Sequence, residues 1–204
     1  MSHLDIQRLF QRAFRRAGVP LAYSKGFNPH PQLSFATALS TGVTSECEWL
    51  DVELEKEMDP EQFISGVNET LPSGFAVLEA RAVDDRAPSL TSRLDGATYT
   101  AMAKGEARSA EALHEAAIEL LKEPIIIQKK TKGGIKPFDI RPQVESVAFE
   151  AEGENMAITV RGALNASGSL NVDALLAAIM EKAGFRFDYT LNRDSVAFAP
   201  EDAF

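Results

Sequence analysis

The sequence predicts an α+β fold in which one order of helices and strands occurs twice. In four segments apolar residues recur every three or four positions, which is the spacing of an amphipathic helix with one buried face. Short segments between them alternate apolar and polar residues or are continuously apolar, as strands are. Connectors rich in proline, glycine and asparagine separate these segments.

The first helix is predicted to begin at Ser2. Ser2 and Asp5 form the Ser-x-x-Asp pattern of a capping box, and Gly18 and Pro20 end the helix. The apolar positions that share its predicted buried face are Ile6, Leu9, Phe10, Ala13, Phe14 and Ala17.

The rest of the first half is predicted as strand, strand, helix and strand. A connector at residues 23–32 cannot form regular structure and leads to strands at 33–39 and 48–54. The second of these alternates acidic and apolar residues, which predicts a half-buried strand with an acidic outer face. A helix opens at Asp59-Pro60, and residues 75–80 form the last strand.

The second half is predicted to repeat this order. Its helices cover 110–121 and 172–183, and its strands cover 97–102, 125–130, 144–150, 156–164 and 185–198. A β-α-β-β-α-β plan therefore occurs twice, and the first copy lacks its opening strand. We predict two tandem ferredoxin-like halves, residues 1–84 and 95–204, joined near Asp84 to Asp95.

Composition excludes several classes of protein. The single cysteine, Cys47, excludes an internal disulfide and any cysteine-based zinc or iron–sulfur site built by this chain alone. No His-x-x-x-His spacing indicates a metal site. No apolar run approaches the roughly 18 to 20 residues that cross a bilayer, and the first residues lack the apolar core of a signal peptide. We therefore expect a cytoplasmic protein with no bound cofactor.

Positive charge is concentrated in two segments of this acidic chain. The net charge is −9, yet residues 1–45 carry five cations against one anion, and residues 124–143 carry the same excess of +4. In the first segment the cations of the helix fall opposite its apolar face, in a stripe about two turns long; they are Arg8, Arg12 and Arg15 or Arg16. Like charges on one helix face repel unless an anion binds there. The stripe therefore predicts either an anion site or a solvated helix face.

The connector after this helix contains a candidate anion-binding loop. Gly26 and Asn28 tolerate positive φ, which predicts a tight loop whose amides can face an anion. Phe27 and Tyr23 lie beside Lys25, a combination suited to base stacking next to a phosphate. The alternatives are that Phe27 is a buried anchor and that Asn28 forms an Asx turn.

Two of the three histidines lie in the same region. A pair formed by His3 and His30 beside arginines can act as acid and base in RNA cleavage, or it can orient a phosphate. Alternatively, His3 bonds backbone carbonyls near the start of the helix and His30, between two prolines, fixes the connector. His114 is expected on a helix surface.

The second basic segment predicts an exposed loop around Gly133-Gly134. Its cations are predicted to contact the substrate and are Lys129, Lys130, Lys132, Lys136 and Arg141. Such a finger can follow a phosphate backbone, or it can serve solubility alone. An ion pair between Asp139 and Arg141 is a further possibility at its base. A single anion-binding surface requires that both basic segments face the same side.

Four amino-terminal motifs are long enough to be specific. They are Ser2-His3-Leu4-Asp5, Arg15-Arg16-Ala17-Gly18-Val19-Pro20, Tyr23-Ser24-Lys25-Gly26-Phe27-Asn28-Pro29-His30-Pro31 and Gly42-Val43-Thr44-Ser45-Glu46. They resemble the motifs of a bacterial family of radical-SAM-linked proteins, which are encoded beside or fused to a cobalamin-binding-type radical S-adenosylmethionine (SAM) protein. In that family a strand usually precedes the Ser-His-Leu-Asp motif, whereas here Met1 stands directly before it. Three alternatives follow: the first sheet lacks this strand, a partner completes the sheet, or the start codon is misplaced. An unpaired edge beside a missing strand is a place at which another chain can dock.

The resemblance implies a radical SAM enzyme as partner, with the iron–sulfur cluster and S-adenosylmethionine held by that enzyme. Three functions fit. The first is a non-enzymatic accessory module that binds an anionic substrate, RNA above all, for the radical enzyme. The second is a ferredoxin-like RNA-processing endonuclease that uses His3 or His30. The third is a protein-docking module whose arginine stripe meets an acidic patch. Lys25-Gly26-Phe27 favours the first.

Overall fold

The protein contains both helices and β-sheets, which alternate irregularly along the chain, and this confirms the α+β class predicted from the sequence. The computed structural model describes residues 1–105, 109–131, 133–165 and 168–199. Within these residues the chain forms two units: unit 1 contains residues 1–41 and 48–91, and unit 2 contains residues 42–47 and 92–199. No helix among the described residues is long and apolar enough to span a bilayer.

The elements follow in chain order. They are α1 (His3–Arg16), β1 (Leu33–Phe35), β2 (Val43–Ser45), β3 (Leu50–Val52), α2 (Pro60–Asn68), α3 (Leu90–Arg93), β4 (Leu94–Ala103), α4 (Ala110–Leu120), β5 (Ile126–Thr131), β6 (Gly134–Asp139), a 3-10 turn (Arg141–Gln143), β7 (Val144–Glu152), β8 (Asn155–Asn165), β9 (Gly168–Ser169), α5 (Val172–Ala183) and β10 (Tyr189–Phe198).

In unit 1, α1 and α2 accompany a small antiparallel sheet of β1 and β3. The predicted capping box of α1 is present: the Asp5 amide donates to Ser2 Oγ over 3.3 Å, and the Ser2 amide donates to the Asp5 carboxylate over 3.2 Å. Four of the predicted apolar positions of α1 are buried, and the buried side chains of the unit 1 core are Leu9, Phe10, Phe14, Val19, Leu21, Leu33 and Val67, with Ala13 buried beside them.

Residues 75–80 of unit 1 do not form the strand that the sequence predicts. The side-chain amide of Asn68 binds the backbone of this segment instead: Nδ2 donates to the Val77 carbonyl over 2.9 Å, and Oδ1 accepts from the Val77 amide over 2.7 Å. The ring of Phe75 packs edge-on against Phe10. A side chain therefore satisfies the backbone groups that a neighbouring strand would have bound.

In unit 2, the strands of the main sheet lie in the order β2-β10-β4-β8-β7, and β9 pairs with β8. All of these pairs are antiparallel except β2 with β10. Buried side chains of α4, α5 and one sheet face form its core, among them Tyr99, Leu113, Ile158, Leu175 and Ile179. Because β2 binds residues 191–193, a short piece of the predicted first half completes this sheet.

From β4 onward the chain in unit 2 runs β4-α4-β7-β8-α5-β10 once the separate hairpin of β5 and β6 and the two-residue strand β9 are set aside. Unit 1 runs helix, strand, strand, helix. The ferredoxin-like description of two halves is finer than the confirmed α+β class and stays an interpretation. The sequence also places residues 134–139 in a loop, whereas they pair with β5 as β6.

Candidate functional site

The predicted arginine stripe lies on α1, and all four arginines are exposed. Arg8 Nη1 is 3.9 Å from Asp5 Oδ1, in an exposed ion pair that contributes little to stability. The guanidinium carbon of Arg15 is 6.0 Å from the centre of the Tyr23 ring. This distance is the outer limit of a cation–π contact, and it connects the stripe to the start of the next loop.

Arg16 has a different environment from the rest of the stripe. Its Nη2 donates a 2.6 Å hydrogen bond to the carbonyl oxygen of Thr70, just beyond α2. The Thr70 hydroxyl in turn donates to the carbonyls of Ala13 and Val67 over 3.0 and 2.9 Å. Arg16 thus connects the last turn of α1 to the end of α2.

Arg12 and Arg16 line a shallow open cavity of about 530 Å³ in unit 1. Its other lining residues are Leu9, Glu69, Thr70, Leu71 and Pro72. Glu69 offsets part of the positive charge, so this cavity is less cationic than the exposed side of α1. No local pattern in the sequence predicts that residues 69–72 line this cavity, because the cavity forms only where α1 packs against the end of α2.

The candidate loop, residues 24–30, is closed by backbone hydrogen bonds and is called the tip loop below. Tyr23 and Pro31 form an antiparallel bridge at its base. The Ser24 amide donates to the His30 carbonyl over 2.9 Å, and the His30 amide donates to Ser24 Oγ over 3.0 Å. Gly26 adopts the predicted positive φ, of 137°, whereas Asn28 does not, because every described residue with positive φ is a glycine.

Phe27 protrudes from the tip loop. Its relative exposure is 112%, so the alternative that it is a buried anchor is wrong. Its loop neighbours Lys25, Gly26 and Asn28 are also exposed. The tip loop therefore presents an aromatic ring and an ammonium group two residues apart in the sequence, and the ring of Pro29 is its other exposed apolar side chain.

The two candidate histidines have different environments. The His3 ring packs edge-on against Phe35, with ring centres 5.6 Å apart. His30 is exposed and closes the tip loop through its backbone. The structure gives His3 a packing role and His30 a place at the closed end of the tip loop, paired with Ser24, and the catalytic hypothesis for the two histidines stays a prediction.

The hairpin of β5 and β6 presents the second group of cations in unit 2. Lys129, Lys130 and Lys136 are exposed, whereas Lys132 lies outside the described residues. Lys129 Nζ is 4.3 Å from the centre of the Phe138 ring. The strand register puts Lys129 opposite Lys136 on one face of the hairpin. The other face carries the exposed side chains Ile126 and Ile135, at 57% and 70% exposure, together with Pro137 and Lys130.

Arg141 lies at the base of this hairpin and holds the backbone. Its Nε donates to the Leu121 carbonyl over 2.6 Å, and its Nη1 donates to the Val144 carbonyl over 3.2 Å. Asp139 Oδ1 accepts from the backbone amides of Ile125 and Arg141, both over 2.9 Å. Both side chains therefore stabilise the turn after the hairpin, and we leave Arg141 out of the proposed binding surface.

The sheet of unit 2 is not a surface for base stacking. On its face away from α4 and α5, the register places Thr98, Thr100, Met102, Ala157, Thr159 and Arg161 in the two central strands. Among the described residues of β4, β7 and β8 that the register places on this face, none is aromatic. In β10 the register sets Phe198 opposite Leu94 at the end of the strand, where the Arg93 guanidinium lies 5.9 Å from its ring. An RNA platform of the kind that stacks bases on sheet aromatics needs such rings.

The electrostatics of α1 are set at its first turn. Hydrogen bonds from the Ser2 side chain and amide, together with the charge of Arg8, hold the pKa of Asp5 below its ordinary value.

Among the described ranges of the chain, no three His, Cys, Asp or Glu side chains form a group that can hold a metal ion.

Fold and surface together define a mixed α+β protein with a cationic and aromatic surface on unit 1. The sequence model of a family described as an uncharacterized protein conserved in bacteria (DUF2344) matches residues 1–173. The chain belongs to this family. No curated protein matches it. The family description names neither ligand nor partner, so the association with a radical enzyme stays a prediction.

Proposed function

We propose that this protein is a non-enzymatic accessory module that binds RNA through unit 1 and presents it to a separately encoded radical SAM enzyme. The observation that carries the proposal is the full exposure of Phe27 beside Lys25 on the tip loop. A ring that stacks on bases beside a cation that binds phosphate is the common means of single-strand recognition.

The charge distribution supports an anionic ligand. The chain carries −9 overall, yet the exposed side of α1 presents Arg8, Arg12 and Arg15. Such a local excess attracts a polyanion that the rest of the surface repels. The guanidinium carbon of Arg15 lies 6.0 Å from the ring centre of Tyr23 at the base of the tip loop, so one cation of α1 is close to the aromatic residue that begins this loop.

The surroundings of Phe27 favour RNA over a protein ligand. Protein interfaces have a contiguous apolar centre with a polar rim. In the tip loop the exposed neighbours of Phe27 are Lys25, Gly26, Asn28, Pro29 and His30, and Pro29 is the one of these with an aliphatic side chain. A ring whose loop neighbours are mostly polar or cationic suits a base and its phosphates better than the pocket of a protein.

The radical enzyme enters through the resemblance of the amino-terminal motifs. Radical SAM chemistry needs a cluster held by three cysteines, and this chain has one. The reaction would therefore belong to the partner, and this chain would supply the substrate. The endonuclease alternative gains no support from the packing of His3 on Phe35.

Binding of a short labelled RNA, measured by fluorescence anisotropy at about 50 and about 200 mM salt, tests the proposal. We expect wild type to bind at low salt and Lys25→Ala to bind more weakly. Lys56→Ala is the matched control, because Lys56 is an exposed lysine of unit 1 outside the tip loop. In parallel, the purified radical SAM partner should bind wild type and Lys25→Ala equally. Wild type that binds no RNA at low salt would overturn the proposal.

Protein docking through the hairpin is a second candidate, favoured by the exposure of Ile126 and Ile135. Branched aliphatic side chains do not stack on bases, but they fill the centres of protein interfaces. Ile135→Ser should then weaken binding of the purified radical enzyme and leave RNA binding unchanged, with Ile118→Ser on α4 as an exposed isoleucine control. Equal partner binding by both variants would exclude this candidate.

A further inference from the structure

We infer that the tip loop recognises unpaired nucleotides, with one base stacked on the ring of Phe27. The inference rests on the proposed function and narrows its ligand from RNA in general to single-stranded RNA.

The exposure of Phe27 is the first argument. At 112% relative exposure, far above the 38% of Tyr23 and the 36% of Trp49, its ring is open to a planar ligand. In an A-form duplex the faces of the bases are covered by their neighbours, and side chains reach only the grooves and phosphates. Only an unpaired base offers a face that such a ring can cover.

The closure of the tip loop is the second argument. The bridge between Tyr23 and Pro31 and the two hydrogen bonds between Ser24 and His30 fix its ends. A loop that is ordered before binding loses little conformational entropy when a ligand arrives. The exposed ring is therefore presented by a defined backbone, as a stacking site requires.

Lys25 gives the third argument. It is exposed two residues before Phe27, and the intervening Gly26 has a φ of 137°, a backbone conformation that residues other than glycine rarely adopt. The chain thus turns sharply between cation and ring. A nucleotide offers the matching pair of groups, a base for the ring and a phosphate for the ammonium.

The test compares single-stranded RNA with the same sequence as a duplex, for wild type and three variants of Phe27. We expect wild type to prefer the single strand. Phe27→Ala and Phe27→Leu should raise the Kd for the single strand by about 5- to 100-fold, and Phe27→Trp should keep or improve the affinity, because stacking needs an aromatic face. Since Phe27 is exposed, all three variants should keep the thermal midpoint of wild type.

The outcomes separate this inference from the proposed function. Wild type that binds neither form of RNA overturns both. Wild type that binds the duplex as tightly as the single strand, or Phe27→Leu that keeps full affinity, overturns the inference and leaves the proposed function standing. If Phe27→Ala abolishes binding of the radical enzyme and leaves single-strand binding unchanged, the inference is also overturned and the ring is assigned to a protein interface.

Discussion

Nη2 of Arg16 lies 2.6 Å from the carbonyl oxygen of Thr70, and this hydrogen bond links the last turn of α1 to the segment that follows α2. Arg12, one helical turn earlier, has an exposed side chain, and both arginines line the shallow cavity of unit 1. The two arginines therefore differ in their contacts, and the predictions below test whether Arg16 stabilises unit 1 while Arg12 contributes to the proposed RNA binding.

Arg16→Ala is expected to lower the free energy of unfolding by about 1 kcal/mol, since it removes a hydrogen bond from a charged donor at an exposed site. Arg12→Ala should leave that free energy within about 0.5 kcal/mol of wild type, as surface substitutions usually do. Urea-induced unfolding of both variants measures the difference. An equal decrease in stability for the two variants would contradict this division.

RNA binding should show the opposite order. Arg12→Ala is expected to weaken it more than Arg16→Ala does, because the Arg16 guanidinium already donates to Thr70. An Arg16→Ala variant with the larger decrease in affinity, at a temperature where both variants are folded, would return Arg16 to the binding surface.

Local signals predicted α1 well, and they failed for pairings distant in sequence. The capping box and the buried face of α1 follow from residues within four positions of each other. In contrast, β2 has three residues, and its partners in β10 lie nearly at the other end of the chain. No pattern within residues 43–45 identifies such a partner.

Asn68→Ala is expected to destabilise unit 1 by about 1 to 2 kcal/mol, because it removes both hydrogen bonds to the Val77 backbone. Asn68→Asp keeps the acceptor for the Val77 amide but sets a carboxylate oxygen, which cannot donate, against the Val77 carbonyl oxygen, so it should also destabilise unit 1. Urea-induced unfolding gives the two values, and hydrogen exchange of the Val77 amide locates the change. An Asn68→Ala variant with wild-type protection at Val77 would show that this segment is held by other interactions.

The stability of α1 should depend on pH through Asp5. Hydrogen bonds from Ser2 lower the pKa of the folded carboxylate below its ordinary, unfolded value. Such a group stabilises the fold fully above the unfolded pKa, and the contribution disappears as pH falls from about 4 through the lower pKa of the folded state. Unfolding measured between neutral and acidic pH should therefore show a decrease in stability in this range.

Asp5→Asn is the control for the pH effect, because it removes the titrating group. Its stability should fall less than that of wild type between pH about 5 and about 2. Ser2→Ala should reduce the effect in the same direction, since it removes the hydroxyl that donates to Asp5 over 2.6 Å. Parallel pH profiles for wild type and Asp5→Asn would assign the acid sensitivity to other carboxylates.

The sequence predicted which types of residue form the candidate site, but it did not predict which of their side chains are exposed. Charge and aromatic content mark residues 8–30 and 129–136 without any structure. The sequence left open whether Phe27 is buried or exposed, because a connector without regular structure allows both. It also gave no sign that the guanidinium groups of Arg16 and Arg141 bind backbone carbonyls, since those carbonyls come from segments 54 and 20 residues away.

The dependence of RNA affinity on salt measures how many phosphates each basic segment neutralises. For a single strand, each phosphate that a variant no longer neutralises should lower the slope of log Kd against log salt by about 0.7. Lys25→Ala in unit 1 and Lys130→Ala in the hairpin should each do so if both segments bind RNA. Lys56→Ala should leave the slope at the wild-type value, because Lys56 lies outside both segments.

The double variant Lys25→Ala with Lys130→Ala then tests whether one RNA molecule binds both segments. If it does, the two decreases in slope add to about 1.4, and the two reductions in binding free energy add provided that the two lysines share no contact. If Lys130→Ala leaves the slope unchanged, the hairpin does not bind the RNA. Its exposed isoleucines would then favour the second candidate function, docking to the protein partner. A slope that falls for Lys130→Ala and not for Lys25→Ala would move the RNA site from the tip loop to the hairpin, because only the hairpin would then neutralise a phosphate.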